Sequence, residues 1–254
     1  MLKYSLEKLV PMSMPVDVCE GPIPAHIAVI LDGNRRFAKK LMRAPWMGHV
    51  WGAKKVREFL GWCRELGIKY ATLYAFSIQN FNRPKKEFDY LMKLFEKDFR
   101  SITDPKHDVH KYGVRVRFLG RIGMLPPAVQ AAIRAAEKAT ARYTNYFVNI
   151  AVAYGGQEEI TDAVKGLAVK VAKGLLKPAA INEELIRHSL YTDGTPYPEM
   201  IIRTGGERRL SNFLLWQSAY SELVFIDRAW PDIRKNDFVG AMKEFQARER
   251  RFGA

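Results

Sequence analysis

Arginines, a glycine pair and a serine stand close together in one stretch of this chain. Their order is Arg203, Gly205, Gly206, Arg209 and Ser211, and an apolar, aromatic run follows directly. Arginine binds phosphate through two parallel N–H groups, and a hydroxyl adds a further hydrogen bond. Glycine lets the backbone turn sharply or approach a ligand closely. The stretch predicts a diphosphate grip ahead of a helix and beside an apolar cavity; an exposed basic loop is the alternative.

A second stretch repeats that composition with an acid added. Asp32, Gly33 and Asn34 follow an apolar run that is typical of a buried strand. Asp32 and Asn34 could simply cap the next helix. However, the first turn of a helix favours acidic residues, whereas the charged residues that follow here are all basic: Arg35, Arg36, Lys39, Lys40 and Arg43. We interpret this stretch as half of a metal and phosphate site.

Two further places carry polar side chains beside predicted strands. Asn80, Asn82 and Arg83 follow an apolar, aromatic strand and precede a proline that starts a helix. They are either part of the same site or turn formers with a solvated arginine. Glu222 directly precedes the last strand, where an acid is usually no more than a surface terminus.

Strands and helices alternate along the chain. Apolar runs predict strands at residues 27–31, 70–76, 114–119, 146–153, 200–202 and 223–226. Helical periodicity predicts helices at residues 51–66, 86–102, 126–142, 158–175 and 237–250. This alternation predicts an α/β fold with a mostly parallel sheet flanked by helices. Because ligands of such sheets lie beyond the carboxyl ends of the strands, we expect the chemistry at that edge.

The composition is that of a globular protein. The chain has 254 residues, of which 48% are hydrophobic, and we expect one domain over residues 1–254 with residues 1–23 as a peripheral segment. No apolar run approaches the roughly 20 residues of a membrane span, and the amino terminus is too charged for a signal peptide. Cys19 and Cys63 show no metal or redox spacing. These features predict a cytoplasmic protein.

The net charge of +14 implies an anionic partner. Nucleic acid, an anionic lipid surface and phosphorylated substrates all meet that requirement. No zinc-finger, basic-zipper or RNA-recognition signature is evident, and the basic residues are spread along the chain. We therefore expect no nucleic-acid partner, although a nucleic-acid binder is the rival interpretation of the charge.

Together these motifs resemble those of the cis-prenyltransferases, the family of undecaprenyl and dehydrodolichyl diphosphate synthases. The resemblance extends over residues 24–253, with motifs at residues 32–36, 48–49, 74–83, 202–217, 222 and 251–253. The chain departs from the bacterial pattern at Arg35, Pro45, Gln79 and Arg208. The resemblance implies a single-domain α/β fold with an apolar product tunnel. It also implies an enzyme that adds isopentenyl diphosphate repeatedly to an allylic diphosphate, making each new double bond cis.

The same resemblance implies roles for individual residues. Asp32 would engage Mg²⁺, with Glu222 as a second acidic partner of the metal. The catalytic set would be Asp32, Asn34, Ser77 and Asn80. The substrate-binding set would be Gly33, Arg35, Arg36, Arg43, His49, Phe76, Phe81, Arg83, Arg203, Arg209, Ser211, Arg251 and Gly253. Of these, residues 33–36 would hold the allylic diphosphate, and the 203–211 stretch would hold isopentenyl diphosphate. The terminal motif with Arg251 and Gly253 would reach across a homodimer into the neighbouring site.

The implied product is a medium-to-long cis-polyprenyl diphosphate, a precursor of lipid carriers for glycosylation, made from a starter such as farnesyl or geranylgeranyl diphosphate. Apolar residues would line its tunnel: Ala75, Leu91, Leu94, Phe95, Phe99 and Val148; plain core is the alternative for such a stripe. A short-chain synthase is one alternative function. A non-catalytic accessory subunit is another, and such a subunit is expected to lack Asp32 and the arginines. Peripheral contact with a membrane during product release stays open.

Overall fold

The computed structural model describes residues 14–15, 18 and 20–248, which form one sheet of six parallel strands. The strands are β1 (His26–Ile30), β2 (Tyr70–Ser77), β3 (Val114–Leu119), β4 (Tyr146–Tyr154), β5 (Met200–Thr204) and β6 (Glu222–Ile226). Their order across the sheet is β3-β4-β2-β1-β5-β6. The predicted strands and the α/β fold are confirmed.

Helices flank this sheet. They are α1 (Asn34–Lys40), α2 (Gly48–Glu65), α3 (Lys85–Ser101), α4 (Asp108–Tyr112), α5 (Pro127–Thr140), α6 (Gly156–Ala172), α7 (Glu183–Arg187) and α8 (Lys235–Ala247). The five long helices match the predicted ones within a few residues. The short helices α4 and α7 were not predicted because five residues are too few to show a helical period. None of the helices in the described ranges is long and apolar enough to cross a bilayer.

The helix predicted directly after Ser211 is wrong, because that segment consists of turns. Ser211, Asn212 and Leu214 have φ angles of 50°, 65° and 45°. This left-handed conformation cannot continue a right-handed α-helix. The apolar pattern has another cause, since Phe213 is buried and stacks on Tyr74 with ring centroids 4.5 Å apart.

β1 fixes the position of Asp32. All five residues of the strand are buried, as expected for a continuous apolar run with a parallel neighbour on each side. Its last residue, Ile30, pairs with Tyr74 of β2 and with Arg203 of β5. The carboxyl ends of these three strands therefore lie side by side, and the residues that follow them share one edge of the sheet.

The described part of residues 1–23 packs against α8. Met14 and Val18 are buried in the core together with Phe245. The side chain of Gln246 donates from Nε2 to the carbonyl of Val18 at 2.9 Å. The peripheral position of the rest of this segment stays a prediction, because most of it lies outside the described residues.

Candidate active site

Arg203 lies at the centre of the polar edge, by which we mean the sheet edge at the carboxyl ends of β1, β2 and β5. Its side chain extends from β5 and is only 5% exposed. Nη2 donates to Asp32 Oδ2 at 2.9 Å, and Nη1 donates to Ser211 Oγ at 2.7 Å. Nη1 also donates to the carbonyl of Arg209. One guanidinium thus joins the two predicted phosphate stretches, which are far apart in the sequence.

Asp32 has a fixed backbone and a partly open carboxylate. The hydroxyl of Thr204 and the N–H of Trp230 both donate to the Asp32 carbonyl at 2.8 Å. Asp32 Oδ1 lies 3.3 Å from Arg36 Nη2, and 29% of the Asp32 side chain is exposed. Gly33, with a φ of 97°, occupies the N-cap position of α1, and no side chain caps this helix. The capping alternative for Asp32 is therefore excluded.

Glu207 was missed at the sequence level, yet it joins two exposed arginines. Its carboxylate lies 2.6 Å from Arg209 Nη1 and 3.7 Å from Arg36 Nη1. Gly205 and Gly206, with φ angles of 86° and 79°, make the turn that places it there. Both arginine side chains are more than half exposed, so a ligand in solution can reach them. The available signal was an acid between a glycine pair and an arginine.

A second cluster surrounds Glu87, which is 3% exposed. Arg83 Nη1 donates to Glu87 Oε1 at 2.9 Å and to His49 Nε2 at 3.2 Å. Arg35 Nε lies 3.6 Å from the same carboxylate oxygen. Because arginine only donates, His49 Nε2 must accept and the imidazole proton lies on Nδ1. Glu87 was also missed, although an acid four residues after an arginine is a recognisable pairing pattern.

Burial keeps His49 neutral. Desolvation, followed by the charges of Arg83 and Arg35, lowers its pKa from 6.5 to about 3. Because the folded-state pKa lies below the unfolded one, protonation favours unfolding. The stabilising contribution is complete above about pH 6.5 and is lost as the pH falls toward 3, by up to about 1.4 kcal/mol per pH unit. We expect urea denaturation between about pH 6.5 and 4.5 to show a steeper loss of unfolding free energy in the wild type than in His49→Gln. Equal slopes would contradict a buried neutral imidazole.

Removing the Glu87 charge should release Arg83 and Arg35. Hydrogen bonds to charged groups contribute about 1.5–3 kcal/mol, so we expect Glu87→Gln to lower the unfolding free energy by that amount. Because Arg83 and Arg35 line the cavity, its affinity for inorganic diphosphate should fall as well. Glu96→Gln is the matched control, because Glu96 pairs with Arg100 on an exposed part of the same helix, and such pairs contribute about 0.3–0.5 kcal/mol. An effect of Glu87→Gln no larger than that of the control would argue against a role in the site.

Ser77 and Asn80 hold one another at the end of β2. The Asn80 side chain accepts from the Ser77 N–H at 3.1 Å, and the Ser77 side chain accepts from the Asn80 N–H. Phe76 is buried and packs edge-on against Phe81, with ring centroids 5.1 Å apart. Ser77, Asn80 and Phe76 line the cavity described below, whereas Phe81 does not. Phe81 therefore packs behind Phe76, and its contact with a substrate stays a prediction.

Asn34 is turned toward α2. Its Nδ2 donates to the carbonyl of Leu31 at 2.7 Å, while its Oδ1 is buried without a hydrogen-bond partner. A side chain on Gly52 would lie 2.2 Å from that oxygen, so only glycine leaves room for this arrangement. Arg43, another predicted contact, is exposed between α1 and α2 and does not line the cavity.

A large cavity extends from this polar edge between α2 and α3, with a volume of about 1320 Å³. Its polar end is lined by Asp32, Gly33, Asn34, Arg35, Arg36, Lys39, His49, Ser77, Asn80, Arg83, Arg203, Arg209 and Ser211. Five predicted tunnel residues lie on its apolar walls: Ala75, Leu94, Phe95, Phe99 and Val148. The prediction that Leu91 lines the tunnel is wrong, because this residue is 1% exposed and belongs to the core cluster between α3 and α5.

Positive charge dominates the polar end. Two diphosphates in one cleft repel strongly, since unit charges about 4 Å apart interact by about 4 kcal/mol at an effective dielectric near 20. Five arginines line this end: Arg35, Arg36, Arg83, Arg203 and Arg209. Asp32 is the one acidic residue among the polar-end residues named above. The arrangement can therefore hold two polyanions beside an apolar chamber.

Glu222 lies at the other edge of the sheet from Asp32. It pairs with Met200 at the amino end of β5, whereas Asp32 follows the carboxyl end of β1. The two are separated by roughly 15 Å along the strand direction. Glu222 Oε2 lies 2.7 Å from Arg248 Nη1, and the terminal motif at residues 251–253 lies outside the described residues. Within one chain, the two acids do not share a metal site.

The Asp32 carboxylate suits Mg²⁺. This ion binds one or two carboxylates and fills its other positions with water and substrate phosphates. The described residues contain no cluster of three or more acidic, histidine or cysteine side chains that could hold a metal alone. Because Asp32 already contacts Arg203 and Arg36, a metal ion would share this carboxylate with two arginines.

Comparison with known proteins identifies the family. The prenyltransferase family model, described as undecaprenyl diphosphate synthase, matches residues 30–253. The chain belongs to this family. As a cis-prenyltransferase it is an enzyme, and the predicted family and enzyme class are confirmed.

The similar proteins cover nearly the whole chain. The tritrans,polycis-undecaprenyl-diphosphate synthase (geranylgeranyl-diphosphate specific) of Pyrococcus horikoshii is 54% identical over 236 residues, which is 93% of this chain and 89% of that protein. The isoprenyl transferase of Thermus thermophilus is 48% identical over 241 residues, covering 93% and 91%. The structure of lavandulyl diphosphate synthase from Lavandula x intermedia, in complex with dimethylallyl diphosphate, has a TM-score of 0.86 at 35% identity and covers 94% and 100%.

Proposed function

We propose that this cis-prenyltransferase extends geranylgeranyl diphosphate with isopentenyl diphosphate to a medium-to-long cis-polyprenyl diphosphate. The observation that carries the proposal is the single Arg203 guanidinium that contacts Asp32 and Ser211 beside a large apolar cavity. The geranylgeranyl specificity in the names of several relatives supports this starter. The product would be a precursor of a lipid carrier for glycosylation.

The two phosphate-binding stretches, residues 203–211 and residues 33–36, would each hold one substrate. Arg203, Arg209 and Ser211 would hold the diphosphate of isopentenyl diphosphate, since Arg203 at the end of β5 contacts the Ser211 hydroxyl and the Arg209 carbonyl of the loop that follows. The backbone of residues 33–35 and the Arg36 side chain would hold the allylic diphosphate. Glu207 contacts both Arg36 and Arg209, so it would hold these two exposed arginines in place until a diphosphate binds.

The reaction breaks the C–O bond of the allylic diphosphate and forms a C–C bond to the alkene carbon of isopentenyl diphosphate. Negative charge develops on the departing diphosphate, where positioned arginines stabilise it. Loss of a proton completes each cycle. Asp32, Asn34 and a substrate phosphate are the alternatives for the proton acceptor. Mg²⁺ held by Asp32 would supply further charge stabilisation on the diphosphate oxygens.

The size of the cavity supports a long product. A cavity of about 150 Å³ holds benzene, which corresponds to roughly 25 Å³ per carbon. The cavity of about 1320 Å³ would therefore hold roughly 50 carbons, less the space that the diphosphates occupy. An undecaprenyl chain, named in the relatives, contains eleven five-carbon units. The chamber is much larger than a short-chain product requires.

Shortening the wall residue Phe95 should lengthen the product. Phe95 lines the cavity and stacks on Phe99, with ring centroids 5.3 Å apart. At roughly 25 Å³ per carbon, Phe95→Ala should admit about one more isoprene unit. Phe88→Ala is the control, because Phe88 packs near Phe76 without lining the cavity. Chromatography of the polyprenyl products reads the result, and identical product ladders for both variants would place length control elsewhere.

We also propose a homodimer in which the terminal motif enters the neighbouring site. Arg248, the last described residue, is held against Glu222. Glu222 therefore lies next to the point at which residues 249–254 follow Arg248 in the chain. If this segment crosses to a second copy, Glu222 would accompany it toward the partner's Asp32, which would restore the predicted pairing of the two acids at a metal.

Turnover of geranylgeranyl diphosphate with labelled isopentenyl diphosphate tests the proposed function. We expect a ladder of long products with Mg²⁺ and none with excess chelator. Products that stop after one or two additions would favour a short-chain synthase. Absence of turnover without a second protein would favour the accessory subunit. Farnesyl diphosphate as an equally good starter would reject the geranylgeranyl preference alone.

A further inference from the structure

The corner between α1 and α2, residues 39–47, exposes apolar side chains that the condensation does not use. Leu41, Met42 and Met47 are exposed by 43%, 94% and 36%. Single exposed apolar residues are common on protein surfaces. Here three lie within one short corner, and exposed apolar side chains that cluster on a surface mark contact sites.

Met42 is the most unusual of the three. Its φ is 52°, and it follows the last turn of α1, where its N–H donates to the carbonyl of Lys39 at 2.9 Å. Glycine is the usual residue in this left-handed position, because a side chain there is strained. The Met42 side chain buries almost nothing against the protein. Neither the backbone nor packing within the chain accounts for a methionine at the tip.

The corner is anchored on both sides. Phe37 of α1 packs edge-on against Trp51 of α2 with ring centroids 5.6 Å apart. Trp46 lies near Tyr90 of α3, with centroids 6.4 Å apart. The exposed side chains therefore project from a fixed base, and their exposure belongs to the folded surface.

The charged residues of this stretch of the sequence have one sign. Residues 33–57 contain eight basic side chains and no acidic one. Arg35, Arg36 and Lys55 pair with carboxylates from outside the corner. Lys39, Lys40 and Arg43 lie within the corner, and none of them forms an ion pair with a carboxylate among the described residues. Apolar side chains surrounded by lysine and arginine are the combination that binds the interface of an anionic bilayer.

The other occupants fit less well. Nucleic acid would use the cations but gains little from an aliphatic tip. A second copy of the chain would bring the same positive corner into contact with this one, or with a protein of net charge +14 elsewhere, and like charges repel. A negatively charged lipid surface satisfies both the cations and the apolar side chains.

We propose that residues 39–47 dock on the surface of an anionic bilayer, with Leu41, Met42 and Met47 entering the headgroup boundary. Lys39 and His49, on the two sides of the tip, line the cavity, so the corner stands at the cavity mouth. A hydrocarbon product would then pass directly from the cavity to the bilayer. This product transfer rests on the proposed function, whereas the docking does not.

Co-sedimentation of the full chain with vesicles tests the docking. The vesicles are pure phosphatidylcholine, or phosphatidylcholine with about one third phosphatidylglycerol. We expect binding to the anionic vesicles only, weakened about fivefold by Lys40→Gln and about tenfold or more by the Leu41→Ser, Met42→Ser double variant. The matched controls are Lys138→Gln on α5 and Met124→Ser, whose side chain is 47% exposed after β3. Both controls should bind as the wild type does.

Four outcomes would overturn the proposal: equal losses in the controls, equal binding to both vesicle types, dissociation of a dimer by the double variant, or a loss of RNA binding without a loss of vesicle binding. Turnover in detergent solution separates this proposal from the proposed function. The double variant should retain it in full. Docking without polyprenyl synthesis would reject the function alone, and synthesis without docking would reject the docking alone.

Discussion

Asp32→Ala should lower kcat/KM about a thousandfold or more, while the protein stays folded. In the proposed mechanism this carboxylate would hold Mg²⁺ at the polar end of the cavity, and a thousandfold corresponds to roughly 4 kcal/mol in the transition state. Steady-state turnover with saturating Mg²⁺ measures the effect, and circular dichroism checks the fold. Turnover close to that of the wild type would remove Asp32 from the mechanism.

Asp32→Asn is the necessary companion, because Asp32 also pairs with the buried Arg203. Alanine leaves that guanidinium without its carboxylate, and breaking a buried pair is strongly destabilising. Asparagine keeps an oxygen in place for Arg203 Nη2 but removes the negative charge. If Asp32→Asn is folded and equally inactive, the charge is required for the reaction. If it is active while Asp32→Ala is not, the loss comes from Arg203.

The fold could be predicted well because most of the strands are local apolar runs. β1 is buried on both faces, and burial on both faces produces the continuous apolar pattern from which it was predicted. The helix predicted after Ser211 failed because an equally apolar run is explained by a buried Phe213 in a left-handed turn. Composition reports burial, but it does not report the sign of φ.

The site could be predicted in part for a related reason. Arg203 and Asp32 end neighbouring strands, so the parallel sheet brings them together. Glu207 was missed because its contact with Arg36 is made across the fold. The separation of Glu222 from Asp32 could have been predicted from the sequence. Glu222 precedes its strand whereas Asp32 follows one, and in a parallel sheet these positions lie at opposite edges.

Deleting residues 251–254 should cripple turnover and leave the fold of the remaining chain intact. The sequence resemblance implies that Arg251 and Gly253 act in the neighbouring site of a homodimer. A charge-assisted hydrogen bond from an arginine to a phosphate contributes about 1.5–3 kcal/mol, which corresponds to a loss of tenfold to more than a hundredfold. Full turnover by the truncated chain would show that the terminal motif is dispensable.

Mixed dimers decide whether the neighbouring site is the one affected. A truncated chain and an Asp32→Ala chain should both be inactive alone. In a mixed dimer, the truncated chain keeps Asp32 and receives the intact terminus of the other chain, so one site of the two is complete. Random pairing of equal amounts should therefore restore about a quarter of wild-type turnover.

Pairing Glu222→Gln with Asp32→Ala should restore activity in the same way. The structure separates these two acids within one chain, so a shared metal site would need Glu222 from the other chain. Recovery with the truncated chain but not with Glu222→Gln would support the crossing terminus and reject Glu222 as a metal partner. No recovery in either mixture would show that each site is formed by a single chain.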